Sequence, residues 1–374
     1  MAGKKINKKA LENLYASGEF SLSQERSDFL LPQIVDFVER DQWINISPEF
    51  QRRQVWDKKK KSKFIESLLM NIPIPQIFLY ETDYNLYEVM DGQQRLTSII
   101  EFYQNKFSLT GLEQWKELNT LKYSDFPEKL QRGLDRRRIS ASVLLTESAK
   151  TEETQQKLKQ YVFERLNTGG VALNAQELRN CLFMGSYNDL INELAGNDLF
   201  NDMLRVPRYS ENISKKGVVS EVLSENKSYK RMMDSALVLR FFSLRDPKNI
   251  KGSLKAILDN NMKGNRNLGQ SKLDELSEIF ITRLQLVSDI FGVDAFYDGN
   301  TFLERLYESL VISVDRLFNK KALLIEHKDK IVKLIDSHLK DGETREIIIG
   351  ARNSAKSVKD RLDFVEKAID NEIS

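Results

Sequence analysis

Cysteine is nearly missing: Cys181 stands alone among 374 residues. A single thiol excludes an intramolecular disulfide and any zinc or iron–sulfur centre built from several thiolates, and it fits a reducing cytosol. Histidine is almost as scarce. Only His327 and His338 occur, both among lysines and carboxylates in a helical-looking stretch, where they read as solvated helix-surface residues rather than ligands or bases. Long apolar runs are lacking too. No stretch approaches ~18 consecutive apolar residues, and the basic start, Met1 to Ala10, has no apolar core behind it, so the chain reads as cytoplasmic, neither secreted nor membrane-spanning. An excess of one charge is also absent, since 57 Lys plus Arg against 55 Asp plus Glu leave +2. A nucleic-acid partner is therefore not announced by bulk charge and has to be read from local clusters. The phosphate loop G-x-x-x-x-G-K-[ST], a G-x-G-x-x-G after a strand, a nucleophile elbow and H-E-x-x-H do not occur. Two distant histidines cannot build an HNH-type nuclease site either.

What is present divides the chain by pattern. Helices are predicted over 7–18 and 28–40, the second with Phe29, Leu30, Ile34, Phe37 and Val38 as an apolar stripe. Ile44 to Ile46 read as extended. Asp57 is placed to cap a lysine-led helix that buries Phe64, Ile65, Leu68 and Leu69, and Asn71 to Pro75 must end it. Gln76 to Tyr80 and Leu86 to Met90 are predicted strands joined by a polar loop, with further strands over Phe107 to Leu109 and Ile139 to Leu145. From Thr151 strand signals stop. A helix is predicted over Glu152 to Leu166, interrupted by Asn167 to Gly170 and resumed from Asn174 to Phe183, where Asn174 with Glu177 forms a capping box. Helices follow near 187–204, 228–243, 271–290, 301–319, 321–340 and 358–371, separated by polar, disorder-prone loops over about 205–227 and 245–270. The expected organisation is α+β: a helical extension at 1–27, an α+β domain at 28–150 and an all-helical domain at 151–374.

The stretch Leu86 to Ile100, L-Y-E-V-M-D-G-Q-Q-R-L-T-S-I-I, carries the strongest chemical signal. A strand runs into Asp91-Gly92, and Leu96, Ile99 and Ile100 then recur at helical spacing. Helix starts expose backbone N–H groups and the positive end of the macrodipole, and Arg95 lies one turn in, so the pattern describes an anion site. Gly92 permits close backbone approach, Gln93 and Gln94 offer polar edges, and Asp91 is suited to orient a water or hold Mg2+. A D-G turn followed by a polar helix face is the bland alternative. Glu49 to Trp56, E-F-Q-R-R-Q-V-W, places cationic residues between large aromatics, which suits phosphate contact or a strand-to-helix connector. Phe163 to Asn180 reads as a helix end and a capped restart, which leaves Arg165 and Arg179 unexplained. Lys58, Lys59, Lys60, Lys61 and Lys63, and Arg136, Arg137 and Arg138, are basic clusters open to a DNA-phosphate or a solvated-surface reading. A weaker one lies at Arg352, Lys356, Lys359 and Arg361.

In this order, F-Q-R-R-Q-V-W (50–56), the helix ending in N-I-P-I-P (71–75), D-G-Q-Q-R-L-T (91–97) and F-E-R-L-N-T-G-G-V-A-L-N-A-Q-E-L-R-N (163–180) resemble the N-terminal domain family of GmrSD-type, modification-dependent restriction systems, over roughly residues 25–185. The resemblance implies a ParB/sulfiredoxin-like fold and nucleotide binding and hydrolysis coupled to sensing or cutting of foreign, usually modified, DNA. It places Asp91, Gly92, Gln93, Gln94 and Arg95 in the nucleotide-site motif, with Gln51 and Arg52 facing the same cleft and the element carrying Arg165 and Asn167 downstream of it. Many relatives carry or recruit an HNH-type nuclease, whose histidines this chain does not supply. The expectation is thus a nucleoside-triphosphate- and Mg2+-dependent DNA sensor of bacterial or phage defence, with Asp91 and Arg95 catalytic, whose helical domain binds DNA, pairs with a second copy or recruits a separate nuclease effector. A non-catalytic module that binds DNA or a partner through the same cleft, and a metal-dependent nuclease, are the competing classes.

Overall fold

The computed structural model describes residues 9, 12, 23–46, 56–145, 158, 161–162, 165, 174–215, 219–350, 352 and 354–374. It separates into two compact units, Met1–Leu173 and Asn174–Ser374, a division later than the compositional change at Thr151.

The first unit is built on a five-stranded mixed sheet in the order β1-β5-β3-β4-β2. Its elements are β1 (Gln24–Leu30), α1 (Leu31–Glu39), β2 (Ile44–Asn45), α2 (Lys58–Leu69), β3 (Ile77–Asp83), β4 (Leu86–Asp91), α3 (Gln93–Tyr103), α4 (Glu128–Asp135) and β5 (Arg138–Leu144). β3 and β4 form an antiparallel hairpin whose turn uses Asn85 in the left-handed region, at φ 58°. β5 lies parallel to β3 and antiparallel to β1. Ile77, Leu79, Val89, Ala141 and Val143 from the sheet meet Leu31 and Ile34 of α1, Phe64, Ile65 and Leu68 of α2, and Leu96, Ile99 and Phe102 of α3 in one core. Each such fully buried aliphatic side chain contributes about 1.5–3 kcal/mol relative to an exposed one.

Several expectations need correction. Residues 28–30 end a strand rather than begin a helix, and the boundary expected after residue 27 falls inside β1. The stripe of Phe29 to Val38 hid this change. Leu30 is extended, Pro32 sits in the first helical turn where its missing N–H is harmless, and Gln33 Oε1 accepts the Leu30 N–H at 2.8 Å. β1 itself is mostly polar and gains its conformation from pairing with β5, more than a hundred residues away. Phe107 to Leu109 is not a strand. It is core-facing loop, fastened by Leu109 N–H to Leu121 O at 2.9 Å and Thr120 N–H to Leu109 O at 2.8 Å. The helix predicted over Glu152 to Leu166 and the Asn167–Gly170 break lie largely outside the described residues, although 158, 161, 162 and 165 are helical.

The second unit is helical around a single core that includes Tyr187, Phe200, Phe241, Phe280, Phe296 and Tyr307. The capped restart is observed: Asn174 Oδ1 accepts from the N–H groups of Gln176 and Glu177 at 2.8 and 2.9 Å, while Glu177 Oε2 accepts the Asn174 N–H at 2.6 Å. The helix predicted over 187–204 is two, Ser186–Ala195 and Asp198–Met203, because Gly196-Asn197 intervene and Asn197 caps the second. The stretch 245–270 is not a disorder-prone loop. It contains the helix Leu254–Asn265, capped by Ser253, whose Ile257, Leu258 and Met262 are buried while Lys255, Asn260 and Lys263 are exposed. The loop expected over 205–227 holds the short helices Tyr209–Asn212 and Glu221–Glu225. A small hairpin, Tyr297–Asp298 with Thr301–Phe302, precedes the helix Glu304–Arg316, so the unit is not wholly helical. Gly342–Ile349 is a further helix that the sequence did not announce.

Candidate functional site

The joint between β4 and α3 is where the sequence motif becomes geometry. β4 ends at Asp91, and Gly92 caps α3 with φ 99°, a left-handed conformation that side chains resist. A Cβ there would lie 2.4 Å from Ile77 Cγ2 and 3.1 Å from Arg95 Nη2, so glycine is required by space as well as by φ. Gly92, having no side chain, cannot itself cap the first turn of α3. Leu96, Ile99, Ile100 and Phe102 then anchor the helix in the core, holding its first turn at the end of β4.

Arg95 is turned inward. Its Nη2 donates to Asp91 Oδ2 at 2.5 Å, and its Nη1 donates to the carbonyls of Pro75 and of Gln76, the latter at 3.2 Å. The arginine side chain is 10% exposed and the Asp91 side chain 40%. Arg95 thereby fastens the exit of the I-P-I-P turn and the end of β4 to the helix start. Gln94 makes a second fastening: its Oε1 accepts the Trp56 N–H at 3.2 Å. Gln93, half-buried, has no hydrogen-bond partner among the described residues. Gln51, Arg52 and Asn167 lie outside the described residues. Arg165 is exposed, with its guanidinium carbon 5.0 Å from the Tyr161 ring centre.

The lysine-led helix α2 is tied down more than its sequence suggests. Asp57 Oδ1 accepts the Lys60 N–H at 2.7 Å, as the sequence predicted. Lys61 is not a surface residue: its ammonium donates to Glu101 Oε2 on α3 at 2.6 Å with 9% of the side chain exposed. Lys59 packs its methylenes over Gly111, Lys60 lies 5.0 Å from the Trp56 ring centre, and Lys63 pairs with Glu113 at 2.6 Å. The hydrogen bond from Lys63 holds the Glu113 carboxyl below its usual range. Ser62 Oγ and Glu66 Oε1 accept the N–H groups of Thr110 and Trp115, both at 2.9 Å. The helix thus serves as a rack for the segment 110–115. Of the second cluster, Arg137 Nη2 donates to Leu69 O at 2.8 Å and Arg138 Nη1 to Asp28 O at 3.4 Å, while Arg136 is exposed.

Arg179, unexplained by capping, is explained by packing. Its Nε donates to Asp259 Oδ1 at 2.7 Å, and burial pushes its guanidinium pKa down against the pull of that carboxylate. Glu177 also pairs with Arg231 Nη1 at 3.3 Å, and Asn174 Nδ2 donates to Arg231 O at 2.6 Å. Arg361 of the late basic cluster is buried, its Nη2 donating to Glu308 Oε2 at 2.6 Å. One cluster had no sequence signal because its members are far apart. The hydroxyls of Tyr103 and Tyr123 both donate to Asp135 Oδ1, at 2.9 and 2.8 Å, with the rings stacked at 4.4 Å. Burial, then Asp135, raises both phenols, Tyr123 to about 12 and Tyr103 further.

Among the described residues no three His, Cys, Asp or Glu side chains gather as a metal-binding group, and no helix is long and apolar enough to cross a membrane. In the second unit a polar groove of about 430 Å³ is lined by Pro247, Arg316, Lys359, Asp363, Glu366 and Lys367; there Arg316 Nη1 is held by Asp363 and Glu366 at 3.1 and 2.7 Å.

Against known proteins, residues 33–184 match the family model described as GmrSD restriction endonuclease, N-terminal domain. No curated protein and no solved structure matches the chain. The match begins inside α1, takes in β2 to β5 and runs through the capped helix Ala175–Leu182. Residues 33–184 are therefore similar to the N-terminal domain of GmrSD restriction endonucleases, and the β4–α3 joint lies within the matched stretch.

Proposed function

We propose that the chain is a component of a restriction-like defence system that binds a nucleoside triphosphate at the start of α3 and hydrolyses it in response to DNA. The observation that carries this reading is the first turn of α3 within the matched stretch: a left-handed glycine at the N-cap position, a buried arginine and a half-exposed carboxylate meet there. Backbone N–H groups at such a turn attract phosphate, and Gly92 lets it come close to the chain. Arg95 supplies positive charge from behind while its bonds to Pro75 and Gln76 hold it in place. In the free protein that charge is shared with Asp91, so an arriving triphosphate competes with the carboxylate for it. Gln93 is positioned to meet the ligand's polar edge. Asp91 fits a role in holding Mg2+, because that ion commonly takes one or two protein carboxylates together with phosphate oxygens. When bound, Mg2+ would neutralise phosphate charge; Asp91 would also orient the attacking water. Gln51, Arg52, Arg165 and Asn167 join this reading through the family motif.

DNA is the proposed trigger, with Lys58, Lys59, Lys60, Arg136 and Arg138 as candidate phosphate contacts on the first unit; the enclosed pairing of Lys61 with Glu101 takes that lysine out of the set. Cutting is assigned to a separate nuclease effector, and the second unit to DNA, a second copy or that effector. The test is a thermal-shift screen of the nucleoside triphosphates with Mg2+, followed by phosphate release with and without DNA, since a ligand that binds only the folded state raises its stability. One nucleotide is expected to raise the transition and to be hydrolysed. Arg95→Ala, titrated below its own transition, is expected to lose that binding; an affinity equal to the parent's would remove Arg95 from the site. Stabilisation without phosphate release under any condition would favour a non-catalytic module, and nicking of plasmid by this chain with Mg2+ or Mn2+ would favour a nuclease.

A further inference from the structure

The two glutamines of D-G-Q-Q-R do not share one environment. Gln94 Oε1 accepts the peptide N–H of Trp56, 38 residues earlier, at 3.2 Å, whereas Gln93 has no hydrogen-bond partner among the described residues. Trp56 immediately precedes Asp57, whose carboxylate caps α2. Its indole meets the Phe64 ring edge-on at 5.5 Å, and the Lys60 ammonium stands 5.0 Å from its centre. The Trp56 peptide lies outside helix and strand, so no regular backbone ladder supplies an acceptor for its N–H. The side chain of Gln94 supplies it. Further along, Lys61 to Glu101 at 2.6 Å joins the same two helices.

We propose that Gln94 is a positioning residue rather than a ligand contact: its side-chain oxygen seats the Trp56 peptide, and with it the start of α2, beside the first turn of α3. Ligand recognition in the pair then falls to Gln93. The inference rests on the nucleotide reading only for what the site binds; the seat exists without any ligand.

The full chain carries three tryptophans, so Trp43→Phe and Trp115→Phe leave Trp56 as the sole reporter. Both replaced rings are more than a third exposed, which makes the background tolerable. Emission wavelength and acrylamide quenching of Trp56 are then read without nucleotide in Gln94→Leu and Gln94→Met, which remove the acceptor, and in Gln94→Glu, which keeps an acceptor oxygen and loses the amide donor. Far-UV circular dichroism checks that each variant is folded, and the milder methionine carries the test should leucine fail. The expected result is red-shifted, more readily quenched Trp56 in the leucine and methionine variants and parent-like Trp56 in the glutamate variant. Parent-like emission in both apolar variants, or an equal shift in all three, would overturn the proposal. Nucleotide titration of the apolar variants adds a second decision: loss of affinity with Trp56 unmoved would make Gln94 a ligand contact, while movement of both supports the seat. If the parent binds no nucleotide, the proposed function falls, and the Trp56 emission still decides the role of Gln94.

Discussion

At Gly92 one added carbon would press on Ile77 from 2.4 Å and hold a side chain at φ 99°. Gly92→Ala is therefore expected to lose about 1–3 kcal/mol in urea unfolding, from strain alone, with further loss if β3 must shift. A second prediction concerns the phenols. Tyr123 titrates near 10 when unfolded and at about 12 in place, and Tyr103 is raised further. A raised acid favours the folded state while it stays protonated, so this stabilisation is full below pH ~10 and fades as pH climbs toward 12. Alkaline unfolding of the parent should steepen in that window, and Tyr103→Phe with Tyr123→Phe should flatten the slope. At this scale the sequence showed which residues of D-G-Q-Q-R matter but not which way they point. A glycine before a helix start is legible from spacing. That Arg95 turns toward the Pro75 and Gln76 carbonyls, and Gln94 toward Trp56, depends on where residues 19 to 38 positions away arrive, and no local pattern records that.

Elements show the same division. α2 and α3 were legible from their apolar spacing, and Asp57 and Asn174 from their capping chemistry, because those signals are local. β1 was not, since its polar sequence acquires strand form only beside β5, and the helix Leu254–Asn265 was masked by lysines and asparagines on its outer face. The lysines of α2 were read as a surface charge run, yet Lys61 faces inward to Glu101. Removing one partner of so enclosed a pair leaves a stranded ammonium, so Glu101→Gln is expected to cost about 3 kcal/mol, discounted from the upper range because Glu101 is partly solvated. Lys61→Met with Glu101→Leu should recover most of that loss, measured by the same urea unfolding. If the pair were a solvated surface contact, both changes would fall within about 0.5 kcal/mol of the parent.

For the whole molecule, the second unit has a core of its own, running from Tyr187 to Ile373, and within it the carboxylate of Glu308 is held by both Arg240 and Arg361. Residues 174–374 produced alone should unfold cooperatively on heating. A piece starting at residue 185 should unfold at a lower temperature, because it lacks the helix Ala175–Leu182 and leaves Asp259 without Arg179. Loss of cooperativity in the longer piece would mean that the unit cannot stand without the first.

That helix has a consequence for how such chains are recombined. The matched stretch runs to residue 184, but the compact unit to which the helix belongs begins at 174, so in this chain the last eleven matched residues pack as part of the helical unit. They bring their own ions, Glu177 for Arg231 and Arg179 for Asp259. A chimaera joining this module to a foreign downstream unit would have to supply the matching socket or carry two buried charges without partners. For a splice at residue 184 of this chain, counterparts of Arg231 and Asp259 are therefore the first positions to look for in a candidate recipient sequence.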